Sequence, residues 1–316
     1  MEKWKIDVAV LCIFFARPEQ FKKSFEQVKK AKPRVLLLWQ DGPREGREDD
    51  IENIKKCREI AEDIDWECEV HKNYHEKNMG CDPSTFYSHK WAFSLVDKCI
   101  ILEDDLVASL SFFSFCKVML DLYENDTRID RICGTNLLGH YDIPYDYFFS
   151  TIGNSWGWAT WKRVAETWDE NYAFMELEYE KNCMRALQPN VKPHLQWEKE
   201  CLMHKKEGVP YWEHIIGARN LLNHGLVIYP RVNMIQNIGL DINSTHAPKD
   251  LAALPKRERW YFENKAIELI FPLKHPKYFI EDVEFCRRCR KKTKGNRLLN
   301  IFERIKIKLK KLFRKK

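Results

Sequence analysis

The 316-residue chain is 44% hydrophobic and 32% charged, an ordinary globular composition with room for one large α/β domain or two smaller ones. Its net charge of +6 is split: residues 287–316 carry fifteen Lys and Arg against one acid, or +14, which leaves −8 on residues 1–286. No run reaches the ~18 to 20 apolar residues needed to span a bilayer, and eleven scattered Cys without framework spacing read as reduced, buried residues of a cytosolic protein, not as a disulfide scaffold.

The apolar stretch 8–16 has Asp7 against it, Arg17-Pro18 after it and no small-residue cleavage site, so it reads as part of a first strand at 7–15 and not as a signal-peptide core. Further strands are predicted at 34–40, 66–71, 98–103 and 131–134, with helices between them at 19–30, 50–64, 83–96 and 110–123. Such alternation predicts an α/β fold with a mainly parallel sheet covered on both faces. Phe112, Phe113, Phe115, Val118, Met119 and Leu122 make the fourth helix apolar nearly all round, as suits a helix packed inside the body.

From Ser155 to about Pro276 the pattern loosens into aromatic-rich helices and short strands. The expected division is a body at 1–280, with halves at 1–154 and 155–280, and a basic tail at 281–316. In the tail, apolar residues recur at 298, 301/302, 305, 309 and 312/313 opposite a lysine-rich face. A helix of that kind lies in an anionic membrane interface, each basic residue contributing about 1 kcal/mol. Nucleic acid would use the charges but not the Leu, Ile and Phe stripe, so none is expected as a partner. The lone Cys286-x-x-Cys289 lacks the second Cys or His pair of a zinc site.

The densest chemical signal is Cys99-Ile100-Ile101-Leu102-Glu103-Asp104-Asp105, an apolar run that ends in three carboxylates. A buried strand cannot hold charge in its middle, so the acids emerge at its carboxyl end, the edge at which open α/β sheets bind ligands. Adjacent acids repel one another, and a bound cation is the simplest way to offset them. Oxygen-only ligands suit magnesium or manganese, ions that commonly bridge a carboxylate to substrate phosphates. The plainer alternative is a solvated acidic turn. Neither G-x-G-x-x-G nor G-x-x-x-x-G-K-[ST] occurs, so a nucleotide bound here would be held by side chains and a metal.

Other stretches line up with that cluster: Phe15-Ala16-Arg17-Pro18, Gln40-Asp41-Gly42-Pro43-Arg44, Asn78-Met79-Gly80-Cys81, Trp156-Gly157-Trp158-Ala159-Thr160-Trp161-Lys162-Arg163, then Asn237-Ile238-Gly239 and Ser244-Thr245-His246. In order and spacing, from about residue 7 to residue 247, the chain resembles the GT-A-fold bacterial glycosyltransferases, nucleotide-diphospho-sugar transferases similar to N-acetylglucosaminyltransferase type I. The resemblance implies a Rossmann-like fold whose first half binds the nucleotide and whose second half binds the acceptor. It also implies a metal-dependent, inverting transfer of a sugar from a UDP-sugar to a hydroxyl of a glycan or lipid-linked glycan, as in surface polysaccharide biosynthesis. With the basic tail, it suggests a protein peripheral to the cytoplasmic face of the cell membrane.

By that resemblance Asp105 ligates manganese or magnesium, while Glu103 and Asp104 face the donor's ribose and sugar. Asp41 accepts the N3–H of uracil, Arg17 contacts the base or a phosphate, and His246 reaches the metal or the diphosphate. Plainer readings stand beside these: a turn at Asp41, a strand end at Arg17-Pro18, a loop cap at His246. Trp156, Trp158 and Trp161 either shape the acceptor side or pack in the core.

The attacking hydroxyl must lose its proton, and one carboxylate opposite the diphosphate suffices. Tyr211-Trp212-Glu213-His214 resembles the family's Trp-Asp element, whose Asp is the base of the inverting members. Here Glu replaces that Asp, a methylene that shifts the oxygens by ~1 Å or more, and Glu213 equally suits a first-turn helix acid. Three other readings stay open: a sugar-1-phosphate nucleotidyltransferase, whose usual Gly-rich loop is missing at 14–19, a retaining transferase, and a non-catalytic glycan-binding scaffold.

Overall fold

A computed structural model of the protein describes residues 2–187, 191–240 and 256–294. The first half follows the expected alternation: β1 (Ile6–Phe14), α1 (Pro18–Ala31), β2 (Pro33–Gln40), α2 (Glu48–Ala61), β3 (Glu69–Tyr74), α3 (Cys81–Leu95), β4 (Lys98–Glu103), a short β5 (Leu106–Ala108), α4 (Leu110–Leu122) and β6 (Ile129–Cys133). The largest displacement is β3, expected at 66–71. Its residues are mostly polar and only half-buried, so register with β2 sets its place, from Val35 opposite Glu69 to Gln40 opposite Tyr74. Trp66 is buried ahead of the strand, its indole N–H donating to the Pro33 carbonyl at 2.7 Å.

The second half supplies β7 (Tyr147–Ser150), β8 (Trp158–Trp161), α5 (Lys162–Ala165), α6 (Glu178–Leu187), α7 (Val191–Glu207), α8 (Trp212–Leu222), β9 (Leu226–Pro230), β10 (Ile235–Asn237), α9 (Lys256–Glu263) and α10 (Val283–Lys294). One sheet runs in the order β3-β2-β1-β4-β8-β6-β9-β7, and β10 pairs with β5 in a separate ribbon. Pairs β2/β3, β1/β2, β1/β4 and β6/β9 are parallel, while β8 and β7 run against their neighbours. The architecture is therefore the expected α/β one with a mainly parallel sheet. Its halves are interleaved: β8, from beyond residue 155, lies between β4 and β6, so 1–154 and 155–280 share one sheet.

Alternate residues of β1 and β4 face opposite layers, as the pleat requires. Val8, Val10, Cys12, Phe14, Ile100 and Leu102 pack with Phe21 and Phe25 of α1 and the phenylalanines of α4. Ala9, Leu11, Ile13, Cys99 and Ile101 pack with Phe86 and Phe93 of α3 and Trp212 and Ile215 of α8. With both faces covered, charge on these strands reaches solvent only past an end. The parallel strands β3, β2, β1 and β4 bring their carboxyl ends to one edge.

Helix α10 falls where the tail was expected to begin, yet it buries Phe285 and Cys289 against Phe148 and Tyr229. Residues 283–294 thus pack with the body, and the amphipathic stretch 298–313 lies outside the described residues. The eleven cysteines are unpaired and eight are buried, Cys286 and Cys289 among them. No helix among the described residues is long and apolar enough to cross a membrane.

Candidate active site

The ends of β1, β2 and β4 enclose a cavity of about 240 Å³ whose wall includes Phe15, Arg17, Asp41, Asn78, Glu103 and Asp104. It sits where the sequence places the acids, because β4 runs out of apolar residues at Leu102 just as the sheet ends.

Asp41 is buried, and its carboxylate is filled by the chain itself. Oδ1 accepts from the backbone N–H of Gly42 and of Met79, each at 2.9 Å. Oδ2 accepts from Asn78 Nδ2 at 3.0 Å and from the N–H groups of Met79 and Gly80 at 3.2 Å. A carboxylate offers about four lone-pair sites, and four donors of the chain already meet that of Asp41 on the cavity wall. It clamps the 78–80 loop to the end of β2. Gly42 is required there, since a Cβ would run into the backbone of Glu76 and Lys77. Burial raises the Asp41 pKa, and the N–H donors of Met79, Gly42 and Gly80 work against that rise.

Arg17 lies on the same cavity wall. Its guanidinium lies across the acidic corner, bonded to Asp104 Oδ1 and, at 3.1 Å, to Asp105 Oδ2. Asp104 is 3% exposed and also accepts the Phe15 N–H at 3.1 Å, so it ties the end of β1 to the end of β4. Burial would lower the Arg17 pKa, but Asp104 and Asp105 outweigh burial and raise it. Asp105 lies beside the cavity against the segment after β10: its carbonyl accepts the Ile238 N–H at 2.9 Å, and a Cβ on Gly239 would overlap its carboxylate. The Asn237-Ile238-Gly239 segment thus meets the acidic corner. His246 lies outside the described residues.

Charge decides what else the corner accepts. Three acids against one guanidinium leave −2 when all are ionised. Burial foremost, then Asp105 and Asp104, pushes Glu103 up to about 8. Burial and Asp104 likewise push Asp105 up to about 6 against the pull of Arg17. An arginine in this position weighs against an ion gripped by all three acids, and among the described residues no three His, Cys, Asp or Glu side chains are placed to share one. The oxygen donors and excess negative charge do fit magnesium or manganese of the sort held by one or two carboxylates, water and substrate phosphates. Asp105 would be its protein ligand.

Glu213 stands in the first turn of α8, exposed, with Ser155 Oγ donating to its Oε1 at 3.4 Å. Its charge helps to raise the Glu103 pKa and acts on the buried Arg131, which puts it within electrostatic reach of the corner. Of the three tryptophans, Trp158 and Trp161 are core residues, Trp161 donating to Leu120 O at 3.0 Å. Only Trp156 stays partly open, edge-on to Tyr261. Sequence reasoning assigned no role to Ser155 or Arg44. Arg44 lines the cavity, forked onto Asp50 and lying over the Phe15 ring. For Ser155 the only signal was its place directly before the tryptophan segment.

No family model matches the sequence, and no curated protein matches it. Among solved structures, the chain is similar to the galactosyltransferase LgtC in complex with donor and acceptor sugar analogs, at 12% identity and TM-score 0.35, over 70% of this chain and 73% of that one. It is similar to the apo-form glycosyltransferase GlyE of Streptococcus pneumoniae at 13% identity and TM-score 0.30, over 65% of this chain and only 44% of that one. It is also similar to an apo UDP-glucose pyrophosphorylase at 10% identity and TM-score 0.36, over 75% and 93% of the two chains. Likeness this distant leaves the reading of the site to its own geometry.

Proposed function

We propose that this chain is a metal-dependent, inverting glycosyltransferase that moves a sugar from a UDP-sugar to a hydroxyl of a glycan or lipid-linked glycan. One observation carries the reading: a strand-end acidic corner short of compensating charge lines a cavity, and a further carboxylate, Glu213, stands within electrostatic reach of it on α8. A nucleoside diphosphate brings more negative charge to this corner and needs a cation to settle there. Manganese or magnesium on Asp105 would neutralise the diphosphate as the glycosidic C–O bond breaks.

The remaining work belongs to side chains. Asp104 and Arg17 fix the ends of β1 and β4 relative to one another, and Glu103 presents its carboxyl to the donor in the cavity. Glu213, oriented by Ser155, takes the proton of the attacking hydroxyl. A base and a leaving group on opposite sides of the sugar are what single displacement with inversion requires. The basic C-terminal stretch supports an acceptor held at the anionic inner surface of the cell membrane.

The test is UDP release from a panel of UDP-sugars, with and without EDTA, in the native chain and in Glu213→Gln. Release should be abolished by EDTA and restored by manganese. Glu213→Gln should lose about 10²- to 10⁴-fold in rate while still binding UDP with manganese. Full activity in that variant removes the base, and EDTA-insensitive release removes the metal.

A further inference from the structure

A second, larger cavity of about 740 Å³ lies between α8, α10 and the loop after β7, and nothing described so far uses it. The α8 residues on its wall are Gly217, Asn220 and Leu221, with His224 just past the helix end. Counted from Glu213 the three helical residues fall at i+4, i+7 and i+8, a single face of the helix. The loop 151–155 runs alongside that face and is tied to it at both ends: Asn220 Nδ2 donates to the Thr151 carbonyl at 3.0 Å, and Ser155 Oγ donates to Glu213 at 3.4 Å. Glu213, which is not on the cavity wall, therefore stands in line with this groove along α8, Asn220 about 10 Å from Glu213 at the helical rise. The groove is open at Gly217, where an added Cβ would meet no atom within 4 Å.

The far end of the groove carries two arginines. Arg287 and Arg290, one turn apart on α10, line it together with His224. The one acid on the wall, Glu281, already accepts a hydrogen bond from Thr151 Oγ1 at 2.5 Å. Arg287 is paired with Glu284, but that pair is largely exposed and holds the guanidinium weakly. Trp197 contributes an aromatic surface, and Asn220 and Thr151 contribute polar groups, a combination suited to sugar rings. Guanidinium groups match carboxylate and phosphate geometry.

We infer that this groove seats the acceptor, and that the acceptor is an oligosaccharide bearing an anionic group, carboxylate or phosphate, held by Arg287 and Arg290 while its reacting hydroxyl lies at Glu213. The inference rests on the reading of Glu213 as the base. It names the acceptor class, and binding alone tests it.

Calorimetry with trigalacturonate, glucose 6-phosphate and neutral maltotriose, on the native chain, on Arg287→Glu/Arg290→Glu and on Gly217→Phe, decides it. At least one anionic probe should bind ten-fold or more tightly than maltotriose, and which one identifies the acceptor's charge as carboxylate or phosphate. Charge reversal should weaken that binding at least ten-fold, and Gly217→Phe should abolish it, with near-UV circular dichroism confirming that both variants fold. Failure of both anionic probes to bind, equal binding of maltotriose, or undiminished binding in the charge-reversal variant overturns the inference. Loss of EDTA sensitivity or of manganese-dependent UDP binding in the native chain would instead sink the transferase reading and leave the binding result standing.

Discussion

The carboxyl ends of β2 and β4 both present buried acids to the same cavity, and the two ends differ in the supply of donors. Asp41, after β2, accepts from Gly42, Met79, Gly80 and Asn78, so its charge is spread over a complete set of N–H groups. At the end of β4, Asp104 and Asp105 share the guanidinium of Arg17, Asp104 also takes the Phe15 N–H, and Glu103 stands beside them. Burial alone does not separate them, since Asp41 and Asp104 are 6% and 3% exposed. An acid with every lone pair filled holds a loop; acids that outnumber their donors remain able to bind a cation.

Removing the acid proposed as metal ligand should have the largest effect. Asp105→Ala is expected to lower manganese-dependent UDP release by about 10²- to 10³-fold with a thermal midpoint equal to or above that of the native chain. Unchanged release would make the β4 end structural, like the β2 end. Next, Arg17→Met strips Asp104 and Asp105 of the guanidinium bonded to both and should cost about 3 kcal/mol at pH 8, read by urea unfolding. Manganese should then raise the midpoint of Arg17→Met more than that of the native chain.

The sign of the pH effect at this corner is determined. Glu103 and Asp105 are raised above their ordinary values, so the folded chain binds more protons than the unfolded chain between about pH 4 and pH 8. Their contribution to stability is present at low pH and lost as pH rises through that window. The penalty in Arg17→Met should accordingly fade toward pH 5.

Asp41→Asn sharpens the contrast from the other side. It keeps the shape but faces backbone donors with an NH₂ group, and should destabilise by about 2 kcal/mol with no change in the metal dependence of UDP binding. The last contrast concerns a third way of burying a titratable group, read only in acid. His89 sits among Trp158, Trp168 and Trp212 with neither ring nitrogen hydrogen-bonded, and burial pushes its pKa down to about 3. It must stay neutral, so between pH 6.5 and pH 3 stability should fall by about 1.4 kcal/mol per pH unit from this residue. His89→Phe should remove that slope in acid unfolding titrations.

Much of the architecture was legible from local pattern. The alternation of apolar strands and amphipathic helices located five strands and four helices of the first half to within a few residues, because hydrophobic periodicity is a property of neighbouring positions. The abrupt change from Leu102 to Glu103 marked the working edge of the sheet for the same reason. The polar edge strand β3 was misplaced because pairing, not hydrophobicity, positions it. The insertion of β8 between β4 and β6 could not be read from spacing at all.

By itself, then, the sequence determined which segments are strands and helices and that three acids end one of them, since both follow from charge and periodicity along the chain. Only the tertiary structure decided what those acids touch. Arg17 reaches partners 87 and 88 residues away and Asp41 gathers donors 37 to 39 residues away, and Glu213 takes its place beside Ser155 across 58 residues. Contacts at such separations depend on strand order and on which loops meet at one edge, and those are settled by packing the whole sheet.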